Sequence, residues 1–491
     1  MPKAKFISGD IFRHIVLMSS TNAIGLTALF LVDLADLFFI SLLGEAELAA
    51  AVGYAGTIAF FTTSFTIGLS IAMTALVSKA IGQQDKSRAR QLVTNVLATG
   101  FLISSLVAGL AWIFTPELLT LIGAKSRTHA LAVEYLHILL PSLPILGMAM
   151  SAGAALRSVG DAKRAMWSTL AGGGVNALLD PLFIFALGLG LPGAAIASVV
   201  ARFAVAGVAL SGVISKHQLI SAFRIGGLID DLRGILKVAL PAMMTNVATP
   251  MGNAYVTAAI AHFGDAYVAG WAVVGRIMPV AFGMIFSLSG AIGPIVGQNF
   301  GAHAYPRVKE ALSKALWFNV VYVLAISLLL YGSKDLLIAA FGVSGDAASV
   351  IDFFCTWVCF SFVFNGAMFV ANAAFNNLGY PSTSTLLNFG KASLGTIPFA
   401  YFGGQWFGAL GVLAGQAVGS IVFGLLGLWM AYYIVTRVTN KHLAKQQLEA
   451  QNLEPQNLEP RVPLTPFCSS RAYMCAEAEV DQLNDPAPTP K

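Results

Sequence analysis

The sequence predicts an all-α polytopic membrane protein: twelve transmembrane helices in two pseudo-twofold-related six-helix lobes, with a central cavity. Three observations carry this. The 491-residue chain is 57% hydrophobic and only 11% charged, under half of the roughly 25% charge of a soluble domain. Apolar stretches long enough to cross a bilayer recur from about residue 14 to residue 437. Two separate loop sequences then return at one common offset. The composition excludes a disordered chain, a nucleic-acid-binding module and an ordinary soluble enzyme as descriptions of the whole. Lipid forces every backbone polar group to bond internally, and long apolar runs satisfy that as helices rather than as the short alternating strands of a barrel. The 48 glycines suit close helix packing in a membrane.

The chain opens MPKAKFISGDIFRHIV, with basic residues but no short apolar core and cleavage site. It is expected to be a cytoplasmic end followed by a retained helix. Spans are predicted at 14–42, 48–78, 91–115, 130–156, 165–188, 193–214, 235–261, 266–298, 311–332, 348–376, 384–403 and 408–436. Each has about 20 residues or more, the length a helix needs to cross roughly 30 Å of hydrocarbon. Lys and Arg set the orientation. One set of ends holds 17 of them, among them Lys5, Arg13, Lys79, Arg88, Arg157 and Arg307, and the other set holds only Lys125, Arg127 and Lys334. That asymmetry places both termini in the cytoplasm and favours an even number of spans.

The repeat divides the chain. SKAIGQQDKSRARQLVTNVL at 78–97 resembles GQNFGAHAYPRVKEALSKAL at 297–316, matching Gly82 to Gly301 at an offset of 219 residues. The same offset matches AALRSVGDAK at 154–163 to AAFNNLGYPS at 373–382. Each half therefore has six spans and enters from the same side, so the repeat is parallel, and a binding site is expected between the halves. The predicted layout is a first lobe at 1–215, a charged cytoplasmic linker at 216–237, a second lobe at 238–440 and a disordered cytoplasmic tail at 441–491. The tail holds the tandem QNLEPQNLEP and a Pro-rich end. Cys355 and Cys359 lie four apart in an apolar run without His or carboxylate at ligand spacing, and read as packing residues.

Charges inside a span cost at least about 2.5 kcal/mol each near the bilayer centre, so those present are candidates for function. Asp33 and Asp36 share a face of the first span at i, i+3. Asp180 lies in the fifth, with Asn176 one turn before it and Pro181 just after it. Proline leaves a carbonyl one turn back without its donor, and a free carbonyl beside a carboxylate suits proton or cation handling. All three acids lie in the first half. At the repeat offset Asp36 corresponds to Tyr255, and the stretch LGTIPFAYF around Pro398 has no acid. The first half is thus expected to hold a coupling ion. The competing reading is that an aspartate only caps or pairs, with Arg202, Arg276 or Lys391 as possible partners.

The second half offers amides and soft apolar groups instead. Asn253, Asn365 and Asn372 lie in the seventh and tenth spans, with Met251 and Tyr255 near the first of them. Met and aromatic side chains adapt to varied ligands and attract cations, so these five are candidate substrate contacts. For any one amide, interhelical packing is the competing reading. There is no HExxH, GxxxxGK[ST] or CxxC, and GLGLPG at 188–193 is a short interhelical loop. Without a nucleotide site, an ion gradient must drive any pumping.

These residues carry a family resemblance. LVDLADLFFISLLGEAELAAAVGY at 31–54 resembles the first-helix signature of the multidrug and toxic compound extrusion (MATE) transporters. LRSVGDAKRAMWSTLAGGGVNALLDPLFIFALGLGLPGAAIAS at 156–198 resembles the stretch through their fifth and sixth helices. The likeness covers about residues 10–437. It implies export of organic, often cationic and lipophilic compounds in exchange for H⁺ or Na⁺. In the DinF-like branch an acid on the first helix and one on the fifth form a site in the first lobe. Here the resemblance assigns those roles to Asp36 and to Asn176 with Asp180, leaves Asp33 as an extra acid, and adds Tyr135 and Ser198. The NorM-like branch has further acids on helices seven and ten; here the seventh has none and the tenth only Asp352 at its very start, so the DinF-like arrangement is the better match.

The expected protein is a monomeric, proton-coupled multidrug antiporter of a bacterial cytoplasmic membrane. It would have no cofactor, no catalytic residue and no nucleic-acid partner, and its cargo would be small-molecule drugs or toxic organic cations. The alternatives are Na⁺ coupling at Asp36, Asn176 and Asp180, a lipid or lipid-linked-sugar flippase and, from a different class, a membrane-embedded enzyme.

Overall fold

The computed structural model describes residues 4–453, and the chain falls into two units, Met1–Arg437 and Val438–Lys491. Among the described residues there are helices and no strand. The first half runs Ile11–Ser41, Ala46–Gly82 and Lys86–Ile113, then a short helix Thr115–Leu121. The fourth span, Ser126–Ser158, is bent by a tight turn at Leu140–Ser142. The fifth, Ala162–Pro181, and the sixth, Gly190–Ser211, each end in a wide π turn, at Leu182–Ala186 and Gly212–Lys216. Spans seven to nine are Ile225–Ala261, Asp265–Gly301 and Tyr305–Ala340. The tenth is broken into Gly345–Thr356, Val358–Ser361 and Phe362–Leu378.

The eleventh begins with Pro381–Gly390 and a π turn at Lys391–Gly395. Helix Ile397–Leu453 follows, but its backbone leaves the helical region at Phe407 and Gly408. The chain folds back there. A methyl built on Gly403 would strike the Gly411 carbonyl, one on Gly415 that of Phe399, and one on Gly419 that of Gly395. These pairs step away symmetrically from Phe407, the register of an antiparallel hairpin. Ten helical stretches among the described residues are long and apolar enough to cross a membrane. The hairpin counts as two, and Ile225–Ala261, long but more polar, is the remaining one of the twelve.

Two boundaries differ from the sequence prediction. The seventh helix starts at Ile225 rather than near 235, because Asp231 is buried and held by the third span. Arg88 grips its carboxylate at 2.5 and 3.0 Å, and the Asn95 amide donates at 2.7 Å. The last helix continues to Leu453, past residue 441 where the disordered tail was expected to begin. Its KHLAKQQLEAQNL is rich in strong helix formers. The rest of the predicted tail lies outside the described residues.

The repeat is visible in the packing. At the end that bears the basic loops, the second and eighth spans cross at their glycines. A methyl on Gly82 would run into the Gln298 carbonyl, and one on Gly301 into that of Lys79. Gly297 lies against Ser78 and Gly293 against Thr74. Every one of these residues touches its own repeat mate or that mate's near neighbour, so the pseudo-twofold axis passes through this crossing. Without a hydrophobic drive between helices in lipid, such small-residue contacts decide which helices meet.

The N-terminal segment lies under the crossing. The Phe6 amide donates to Oε1 of Gln298 at 2.9 Å, and Nε2 of Gln298 donates to the Ser158 carbonyl at 2.6 Å. The Lys5 ammonium bonds the Gly160 carbonyl, and the Arg307 guanidinium bonds the carbonyls of Phe6 and Gly9. Both halves are therefore tied together at this end. Midway along the first span an open groove of about 500 Å³ is lined by Ser20, Ile24, Thr27 and Leu31, with Leu170 of the fifth span and Met284 of the eighth.

Candidate functional site: a carboxylate pair bridged by one amide

Asp36 lies near the end of the first span away from the basic loops, and Asp180 lies at the matching end of the fifth. Asn176 is one helical turn before Asp180 and shares its face. Its amide nitrogen donates to Oδ1 of Asp36 at 2.7 Å and to Oδ2 of Asp180 at 2.9 Å. A primary amide has two N–H donors, so each carboxylate takes one. The Asp180 side chain is fully buried, and its Oδ1 has no hydrogen-bond partner. The Asp36 and Asp180 carboxyls are thus both within hydrogen-bond reach of one nitrogen atom. A buried carboxylate oxygen without a donor is costly, and a proton or small cation at this point removes that cost. Pro181 and the π turn after it widen the helix beside the acid. Wide turns of this kind recur at functional sites.

Tyr135, on the fourth span, lies near both acids and near Ser198 of the sixth. These two flank the carboxylates. Asp33 is exposed and makes no hydrogen bond or ion pair among the described residues. Two of the three cationic partners considered for the aspartates bond elsewhere, and Arg276 is exposed. Arg202 donates to the Leu139 carbonyl at 3.1 Å and to the Ser142 hydroxyl at 2.8 Å, while the Lys391 ammonium bonds Oδ1 of Asn365. No ion pair links Asp36 or Asp180 to a basic residue among the described residues.

The five candidates of the second half meet different partners. Asn253 accepts from the Gln416 amide at 3.3 Å, and the Tyr255 hydroxyl donates to the Ile397 carbonyl at 3.5 Å. Met251 is 55% exposed. Asn372 accepts from the Ser384 hydroxyl at 2.8 Å and from the Asn388 amide at 3.0 Å, which makes it interhelical glue. Asn365 alone faces a charge, Lys391. Asn365 and Asn372, seven positions apart, share a helix face, but spacing alone does not tell which opposing side chain each meets.

Twelve membrane-crossing helices in two repeats, with a buried acid and a half-buried one joined by an amide in the first, describe a polytopic membrane transporter rather than an enzyme. The chain belongs to the MatE family, whose model matches it twice, over residues 23–182 and 241–402. One match falls in each half. A FAD transporter of Shewanella oneidensis is 28% identical over 441 residues, covering 88% of this chain and 96% of that protein. The multidrug export protein MepA of Staphylococcus aureus is 19% identical over 438 residues, covering 88% and 96%. Among solved structures, the outward-facing conformation of a multidrug resistance MATE family transporter aligns with a TM-score of 0.83 at 22% identity, covering 89% of this chain and 99% of that one. A MATE structure in a straight conformation aligns at 0.82, with the same identity and coverage.

Proposed function

We propose that this chain is a cation-coupled antiporter that exports small organic molecules by alternating access, with H⁺ as the coupling ion and Asp36, Asn176 and Asp180 as the coupling site. One observation carries the reading: a single amide bridges two carboxylates inside the membrane, and the buried one keeps an oxygen without a donor. The 17-to-3 asymmetry of basic residues makes the closed end cytoplasmic, so the acids open outward. Protons from outside then neutralise Asp36 and Asp180, the bonds to Asn176 rearrange, and the first span repacks through GLTALF at 25–30. That repacking releases cargo outward, and deprotonation inside restores affinity. Both termini are cytoplasmic in this reading, the membrane is the bacterial inner membrane and the working unit is a monomer. Asp36, Asp180 and the Asn176 carbonyl also make an oxygen set suited to Na⁺, the alternative coupling ion.

Lipophilic cations are the cargo that the acids, Met251 and Tyr255 suit. An anionic cargo is favoured instead by one observation, a lysine in the eleventh span without a carboxylate partner. The relative from Shewanella oneidensis, named a FAD transporter, makes flavin nucleotides the first anions to examine. The test of coupling is ethidium efflux from proteoliposomes under pH and Na⁺ gradients imposed separately. The pH gradient alone is expected to drive efflux, and Asp36→Asn and Asp180→Asn are each expected to reduce it tenfold or more. Dependence on Na⁺ alone overturns proton coupling, and unimpaired efflux in both variants overturns the site.

A further inference from the structure

The eleventh span carries a charge near its middle. Lys391 is about ten residues into the eleventh span, roughly 15 Å along it at about 1.5 Å per residue, near the centre of a bilayer about 30 Å thick. It opens the π turn Lys391–Gly395. Leu386 and Leu394, 71% and 68% exposed, mark the lipid-facing side of this span. Lys391 points the other way, into the lobe, where its ammonium bonds Oδ1 of Asn365 on the tenth span. The next residue, Ala392, packs against Gly252 of the seventh.

An ammonium has three donors, and Asn365 takes one. No carboxylate stands within ion-pair distance of Lys391 among the described residues. Nearby Asn372 already accepts from Ser384 and Asn388, so it offers Lys391 nothing. The repeat sharpens the point. At the common offset Lys391 corresponds to Gly172 and Asn365 to Leu146, while Asp36 and Asp180 correspond to Tyr255 and Phe399. Each of these charged positions thus has an uncharged residue at its repeat mate. An unpaired charge at the bilayer centre is costly and marks a function by default, and lysine is a recurrent point-charge binder of phosphate.

We propose that Lys391, oriented by Asn365, is an anion-binding group of the second half, and that the exported molecule is an organic phosphate whose charge it pairs with. This rests on the exporter reading and specifies its cargo class.

The experiment measures binding and uptake of FMN, FAD and riboflavin by the full-length chain in proteoliposomes, with ethidium efflux scored in the same vesicles. Riboflavin is FMN without its phosphate. The wild type is expected to bind FMN or FAD at least tenfold tighter than riboflavin. Lys391→Met is expected to bring that ratio below threefold, and Lys391→Arg to keep most of it. If Lys391→Met does not purify as a monodisperse protein, Asn365→Leu is read the same way and is expected to lower the ratio. A wild-type ratio near one, or a ratio that survives Lys391→Met, overturns the proposal. Ethidium efflux by the wild type alongside a ratio near one overturns the anion site alone. Loss of both ethidium efflux and flavin transport in the wild type overturns the exporter reading as well.

Discussion

Asn176 does the most at the scale of a single residue. Both N–H groups of its amide go to carboxylates on different helices, and hydrogen bonds to charged groups contribute about 1.5–3 kcal/mol each. Asn176→Ala leaves both acids in place without the bridge between them. Proton-driven efflux is expected to fall at least tenfold in that variant, measured as initial rate at a saturating pH gradient, and Asn176→Gln is expected to recover less than half. Asp161 is a structural counterpart outside the membrane. It caps the fifth span by accepting from the Arg164 amide at 3.2 Å, and it lies 2.7 Å from Nε2 of His217. The His217 hydrogen bond holds its carboxyl below the usual carboxylate range, with the Arg164 amide adding to the effect. Its stabilisation is therefore fully present above the ordinary aspartate pKa of about 4 and is lost as pH falls through the lowered folded value. Asp161→Ala is expected to cost about 1–2 kcal/mol at neutral pH, read as a lower melting temperature in detergent. The gap from the wild type should close only on strong acidification.

The decisive element is the crossing of the second and eighth spans. Gly82 and Gly301 let two backbones touch, and added bulk at such a contact costs about 1–3 kcal/mol in a packed interior. Because the strain falls only on the closed form, Gly82→Leu is expected to shift the protein toward opening at the basic end. Spin labels on the loops after the second and eighth spans should then report a longer distance than in the wild type, and an unchanged distance would count against the crossing as the gate. The tenth-span glycine Gly366, packed against Asn319 of the ninth span, is a static counterpart within one half. The same bulk there should lower stability without changing the loop distance. Helix existence was legible along the chain because lipid imposes a length and a hydropathy on every span. The fold-back at Phe407 and Gly408 was legible too, as the gap between 403 and 408. The early start of the seventh helix was not, since it depends on Arg88 and Asn95 reaching Asp231 from another span.

For the whole molecule, the closed end is held by a strap. Phe6 is buried, and its amide is bonded to Gln298, which in turn bonds Ser158 across the halves. Opening this end requires those bonds to break. The Phe6 amide is therefore expected to exchange hydrogen slowly in the wild type, and faster by a factor of ten or more in Gln298→Ala, as measured by hydrogen–deuterium exchange on the N-terminal peptide. Equal exchange in both would show that the strap does not follow the gate. The two halves share one plan and differ in charge, and that combination suits alternating access around asymmetric sites.

The sequence by itself determined the solvent, the twelve spans, the repeat and the confinement of the membrane acids to the first half. Each of these is a property of position along the chain: length, hydropathy and offset. Only the tertiary structure decided that Asn176 serves two carboxylates, that Lys391 meets Asn365 instead of an aspartate, and that Gly82 and Gly301 meet at the axis. The physical reason is that lipid tails are as apolar as the helices they surround, so burial does not choose a helix's neighbours. Close packing and individual hydrogen bonds choose them, and these act between residues that are often more than a hundred positions apart in the chain.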